Sequence, residues 1–149
     1  MSELILSRCS LTGEQAANDV VKEIVDAGGQ AVADYNSVEY GDKIIDTAIA
    51  NYKRVDVLIN NAGVLRDITI KNMTDQDWDV IMAVHLTGAY KTTRAAWPYF
   101  RKQRYGRVIN TSSSSGLFGN FGQGKRIHEC SPLRQPLIIT LFAFRQLRR

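Results

Sequence analysis

Apolar positions along this chain follow two alternating rhythms. Ala16, Ala17, Val20, Val21, Ile24 and Val25 fall three and four apart, the period of a helix with one buried face. Thr12 and Gln15 ahead of them have capping-box spacing, and Gly28-Gly29 supplies a stop. Gln30 to Tyr35 switches to period two, with Ala31 and Ala33 on one face and Val32 and Asp34 on the other, which predicts a strand. Ile44, Ile45, Ala48 and Ile49 return to helical spacing and run toward Lys53-Arg54. Val55 to Ile59, broken only by Asp56, is a short β-branched and aliphatic run suited to a strand buried in a parallel sheet.

The alternation continues. Thr74 caps a third helix, with Asp75 and Asp77 in the first turn, where the helix dipole favours acids. Trp78, Ile81, Met82 and Ala89 are spaced for burial, and Pro98 predicts a kink or an early end. Arg107 to Ser112 opens apolar and closes in hydroxyls, as the next strand. Helix, strand, helix, strand, helix, strand is the order of a parallel α/β sheet. Leu4-Ile5-Leu6 is apolar enough for a strand fragment, and no internal repeat is visible.

Composition narrows the class. A chain of 149 residues, 44% hydrophobic and 23% charged, has the balance of one globular domain with a core. Cys9 and Cys130 make neither a disulfide framework nor a metal cluster, which fits a reducing compartment. No run of about 18 apolar residues is present, so a membrane-spanning helix is not expected, and no signal-peptide pattern opens the chain. The net charge of +4 is concentrated: Lys125, Arg126, Arg134, Arg145, Arg148 and Arg149 face only Glu129 in the last stretch. Without it the balance falls to about −1, so the body is not expected to bind nucleic acid.

The candidate chemistry lies at strand ends, where open α/β sheets bind ligands. Asn60-Asn61-Ala62-Gly63 ends the Val55–Ile59 run. Ala62 and Gly63 carry almost no side chain, so a flat ligand can approach the backbone. Asn36-Ser37-Val38 follows the Gln30–Tyr35 run, and Thr111-Ser112-Ser113-Ser114-Ser115-Gly116 ends the last one.

Asn60-Asn61-Ala62-Gly63 resembles the second signature of the short-chain dehydrogenase/reductases. Arg94-Ala95-Ala96-Trp97-Pro98, Tyr105-Gly106-Arg107-Val108-Ile109-Asn110-Thr111 and Gly119-Asn120-Phe121-Gly122-Gln123 look like the (3R)-hydroxyacyl-CoA dehydrogenase domains of the peroxisomal multifunctional type. The resemblance covers roughly residues 16–123. It implies an incomplete Rossmann-type, doubly wound parallel sheet, with NAD as cofactor and a 3-hydroxyacyl-CoA as substrate. It implies that Asn36, Ser37 and Val38 meet the adenine, where the family usually has Asp at the first place. Asn60, Asn61, Ala62 and Gly63 would line the adenine-ribose side, their amides also tying strands together. Ser113 would hydrogen-bond the reacting carbonyl or hydroxyl. His85 occupies the family-wide place of a catalytic Asn. A peroxisomal location follows from the family; the chain's end is no peroxisomal address, which leaves a cytoplasmic location as the alternative.

Two departures matter as much as the match. The family's Gly-rich turn, whose backbone N–H groups hold the pyrophosphate, has no Gly-x-x-x-Gly-x-Gly counterpart here. The family's base is a tyrosine helped by a lysine four residues on; those places hold Arg126 and Cys130. Arg126 stays protonated and Cys130 supplies no cation. His128 and Cys130 are two ligands and make no metal site. The chain therefore divides into an unassigned segment 1–11, a partial dehydrogenase domain 12–123 and a foreign, irregular tail 124–149. Gly124-Lys125 can be encoded as GGT-AAG, which contains GTAAG, the usual start of an intron, and Leu137 to Phe144 fits no expected element. The expectations are an inactive relative of a dehydrogenase, a non-catalytic piece that pairs with itself or docks on intact subunits, or a mis-predicted gene product. Two absent strands should leave a gap of roughly 10 Å beside the Val55–Ile59 strand, open unless Leu4–Leu6 or the tail fills it.

Overall fold

The computed structural model describes residues 13–66, 68–112 and 139–143. Within them four helices and three strands follow the alternation. These are α1 Gly13–Asp26, α2 Gly41–Tyr52, β1 Val57–Asn60, α3 Asp75–Met82, α4 Ala89–Gln103, β2 Arg107–Thr111 and β3 Ile139–Ala143. β1 and β2 pair in parallel, Leu58 opposite Val108 and Asn60 opposite Asn110. This is the expected crossover, with α3 and α4 carrying the chain back to the sheet.

The core lies where α2 and α4 cover the sheet. Ile45, Ala48, Val55, Ala96, Phe100 and Val108 are buried together, with Leu58 and Ile49 packed against them. Two glycines permit this closeness. A Cβ on Gly41 would stand 2.4 Å from the Thr92 backbone nitrogen, and one on Gly106 would stand 2.3 Å from the Phe100 ring. Gly41 thus lets α2 ride directly on α4, a backbone contact that no side chain can relax. At the far end of α4, the Gln103 amide donates to the Val55 carbonyl at 2.7 Å and accepts from the Val55 N–H at 3.2 Å. It pairs with the chain just before β1 as a neighbouring strand would.

Four expectations change. Gln30 to Tyr35 forms no strand. Alternation only prepares a segment to pair, and among the described residues nothing pairs with this one. Pro98 does not end α4, which runs through it to Gln103; Pro98 is exposed, so the carbonyl left without its N–H partner can meet water. Between α3 and α4 the helix widens into a π-helical turn, Ala83–Gly88, that no spacing foretold. Finally, part of the tail is regular: β3 pairs antiparallel with β2, Thr111 opposite Ile139 and Arg107 opposite Ala143. It lies on the far side of β2 and does not fill the gap beside β1; Leu4–Leu6, the other segment expected there, lies outside the described residues. The sheet order is β1-β2-β3, so among the described residues β1 is an edge strand, with Val57 44% and Ile59 40% exposed. On α1 the apolar stripe is only half-buried. Thr12, the expected cap of that helix, lies outside the described residues.

The cap on α3 is as expected. Thr74 Oγ1 accepts from the Asp77 N–H at 3.2 Å, and the Asp77 carboxylate accepts from the Thr74 N–H and hydroxyl at 3.4 and 2.6 Å. The Thr74 hydroxyl chiefly, helped by its N–H and by Arg66, lowers the Asp77 pKa below its ordinary 3.8, against a smaller opposing effect of burial. A depressed carboxyl contributes stability above its unfolded value and loses it as pH falls through the folded one. Thr74→Ala should lower the unfolding free energy by about 1 kcal/mol at neutral pH. It should also flatten the loss of stability below about pH 4. Urea unfolding at several pH values measures both; an unchanged acid limb would refute the link to Asp77.

Candidate functional site

Two short segments meet at the carboxyl end of β1. The first is the turn Asn36-Ser37-Val38. Ser37 Oγ accepts from the Glu39 N–H at 3.3 Å and starts a 3-10 turn, Val38–Tyr40, that leads into α2. Val38 is thereby driven inward, where it is buried with Ile44 and Val84, and Ala62 and Val64 pack against the three. Gly88 makes room, since a Cβ there would stand 2.7 Å from the Val38 side chain. The second segment is Asn61 to Leu65, which Ala62 and Val64 fasten to the same cluster. Apolar packing alone therefore joins two loops that stand 25 positions apart in sequence between Asn36 and Asn61.

Asn60 and Asn61, adjacent in sequence, have different duties. The Asn60 amide nitrogen donates to Asn110 Oδ1 at 2.8 Å and to the Thr93 hydroxyl at 3.1 Å. Its oxygen accepts from the Thr92 hydroxyl at 2.8 Å, and Thr92 is 4% exposed. Both ends of the Asn60 amide are thus engaged in tying β1 to β2 and α4. Asn61 is exposed, its backbone N–H turned back on the Ile59 carbonyl at 3.1 Å. Gly63 lies under His85: a Cβ there would stand 2.9 Å from His85 Cε1. His85 Nε2 sits 3.1 Å from the Val64 nitrogen and 3.0 Å from its oxygen. In one tautomer the ring accepts from the N–H, and in the other it donates to the carbonyl.

Asn36 is held from behind. Asp34, 6% exposed, accepts the Asn36 backbone N–H at 2.9 Å and its amide nitrogen at 3.2 Å on each oxygen. The Thr47 hydroxyl of α2 adds a 2.6 Å bond to the same carboxylate. Asp34 and Gln103 are site and scaffold residues that sequence reading missed. Asp-x-Asn was the only available signal for the first, as an Asx turn; none existed for the second.

A trough of about 860 Å3 runs over these segments and along β1, lined among others by Val38, Ile44, Ile59, Asn61, His85 and Thr111. Thr111 and Ser112 are half-buried at the end of β2. Ser113, Arg126, His128 and Cys130 lie outside the described residues. Among the described residues no three His, Cys, Asp or Glu gather as a metal site. The trough can take a flat heterocycle against small side chains, with amides at its rim.

The chain has relatives among known proteins. The short chain dehydrogenase family model matches residues 5–125. The peroxisomal hydratase-dehydrogenase-epimerase of Neurospora crassa is 69% identical over 109 residues, 73% of this chain and 12% of that protein. The peroxisomal multifunctional enzyme type 2 of Mus musculus is 53% identical over 111 residues, 74% of this chain and 15% of that one. The full-length structure of the type 2 enzyme from Drosophila melanogaster superposes with a TM-score of 0.68 at 45% identity, over 85% of this chain and 20% of that chain. The chain thus spans a small part of the length of the relatives it matches.

The division between the two asparagines is testable. Asn60→Ala removes partners from Asn110 and the buried Thr92, and should cost about 1–3 kcal/mol of stability. Asn61→Ala should stay within about 0.5 kcal/mol, as an exposed change. Urea unfolding of both variants measures this; equal midpoints would show that Asn60 is no structural tie.

Proposed function

This chain belongs to the short-chain dehydrogenase family, and on that premise we propose that its two joined loops form the adenosine half of an NAD site. The fold they belong to is that of an oxidoreductase using a nicotinamide cofactor. Asn36, Ser37 and Val38 would face the adenine, and Asn61, Ala62 and Gly63 the adenine-ribose side. Asn60 acts behind them as the tie. The observation that carries this reading is the packing of Val38, Val84, Ala62 and Val64, which brings both loops to one mouth. The relatives' names add a peroxisomal setting, and the family resemblance implies a (3R)-3-hydroxyacyl-CoA as substrate and a 3-ketoacyl-CoA as product.

The fit to the cofactor is partial. The adenosine side offers a free amide acceptor at Asn36 and small residues at Ala62 and Gly63. The sequence has no Gly-rich turn for the pyrophosphate. When bound, NAD would supply the hydride acceptor. Of the groups that handle the proton, Ser113 would hold the reacting oxygen, but Arg126 and Cys130 stand where a tyrosine and a lysine would be needed. A positioned acid–base contributes about a hundredfold to ten-thousandfold, so this chain should bind without turning over. Incubation of the pure chain with 3-hydroxyacyl-CoA and NAD should give no NADH above background. Steady NADH formation, abolished by Ser113→Ala, would refute it.

A second reading rests on the edge that β1 presents among the described residues. Unpaired strand edges with exposed apolar residues recruit other chains, and Val57 and Ile59 stand beside the trough. In this reading the chain is a non-catalytic piece that adds to an intact dehydrogenase domain of its own family. Mixing with such a domain should shift the chain to a larger species in sedimentation velocity, and Ile59→Lys should reverse the shift. A monodisperse chain that ignores the domain would remove this reading and leave the first standing.

A further inference from the structure

We propose that Asp34 fixes which face of the Asn36 amide is presented to a ligand, so that this turn selects a base carrying an amino group over one carrying a carbonyl. The inference rests on the cofactor reading above and specifies how the adenine is discriminated.

A free asparagine can offer either its nitrogen or its oxygen, because the amide turns over at little cost. Asn36 does not have that freedom. An ionised carboxylate only accepts hydrogen bonds. The Asp34 oxygens already hold the Asn36 backbone N–H, so the side chain beside them must turn its own N–H group to the carboxylate, as it does at 3.2 Å to each oxygen. The amide oxygen then projects on the other branch, and among the described residues no donor reaches it. Thr47 closes the arrangement: its hydroxyl donates toward Asp34 at 2.6 Å, the nearer of two acceptors, the other being the Lys43 carbonyl at 3.1 Å on the same helix. Burial of Asp34 makes the alternative costly. With the amide reversed, oxygen would face oxygen at the same distance, away from water.

The chemical consequence is specific. Adenine carries a donor at its six position, and hypoxanthine carries an acceptor there. A fixed acceptor at Asn36 pairs with the first and repels the second. Asn36 thereby performs uncharged the task of the carboxylate usual at this place in the family, provided that Asp34 holds it. Asp34 does not touch the ligand; it is a positioning residue.

The experiment compares NAD with its hypoxanthine analogue, deamino-NAD, by calorimetry or ligand-observed NMR on the full chain. Wild type should prefer NAD by roughly tenfold, the order expected of one hydrogen bond to a site built for it. In Asp34→Asn the new amide can donate as well as accept, Asn36 regains both orientations, and the preference should fall to about twofold or less. A folded Asp34→Asn that keeps the full preference, or a wild type that binds both dinucleotides equally, would overturn the inference and spare the cofactor reading. A wild type that binds neither would overturn both. If Asp34→Asn does not fold, the wild-type NMR spectrum decides. Slowed exchange of the Asn36 side-chain amide protons supports the orientation, and unprotected exchange refutes it.

Discussion

The hydrogen-bonded junction at Asn60 is the constraint on which the site depends. One amide, at the last residue of β1, joins the strand beside it and the helix above it. A chain leaving a strand end can take many directions. Here it leaves from a residue whose position is set by Asn110 on one side and by Thr92 and Thr93 on the other, so Asn61 to Leu65 departs in one direction only. His85 then fixes the Val64 peptide, and the π-helical turn that carries His85 brings it over Gly63. A wider helical turn is less favourable than a regular one and persists where contacts require it. The Val64 peptide and the packing of Gly88 against Val38 are the contacts it serves in this fold.

The sheet is less well provided. The strands β1 and β2 turn one face to α2 and α4, while among the described residues β1 keeps an open edge and α1 a half-covered stripe. Each uncovered apolar group forgoes the gain of burial, of the order of 25 cal/mol per Å2. The ordered helices still carry their entropic cost. The same deficit explains the Gln30–Tyr35 segment: its alternation is intact, but a strand is a relation between two segments, and among the described residues it has no partner.

Much of this was legible because it is local. The α1, α2 and α3 helices show in their 3.6-residue spacing, the α3 cap in Thr74 and Asp77, and β1 and β2 in their short apolar runs. The loops at strand ends follow from the general placement of ligands in such sheets. What escaped was set by distant residues. Gln103 pairs with Val55 across 48 positions, and nothing near either residue announces it. Pro98 reads as a breaker because sequence does not show that its face of α4 meets solvent. The strand at Ile139–Ala143 lay hidden in a basic tail beyond the residues that the family model matches, yet a run of apolar residues can extend any sheet that offers an edge.

The site's packing is contained in one part of the chain. Asp34, Asn36 and Thr47 lie within 13 positions of one another, and Val38, Ile44, Ala62, Val64 and Val84 form one cluster. Among the described residues none of these contacts involves a residue after Ser112. The groups that a dehydrogenase needs for phosphate and proton come from other regions, held by different backbone. On the proposed reading, recognition of the adenosine end would be separable from chemistry at the nicotinamide end: the first rests on packing among Val38, Ile44, Ala62, Val64 and Val84, and the second needs groups held by other backbone.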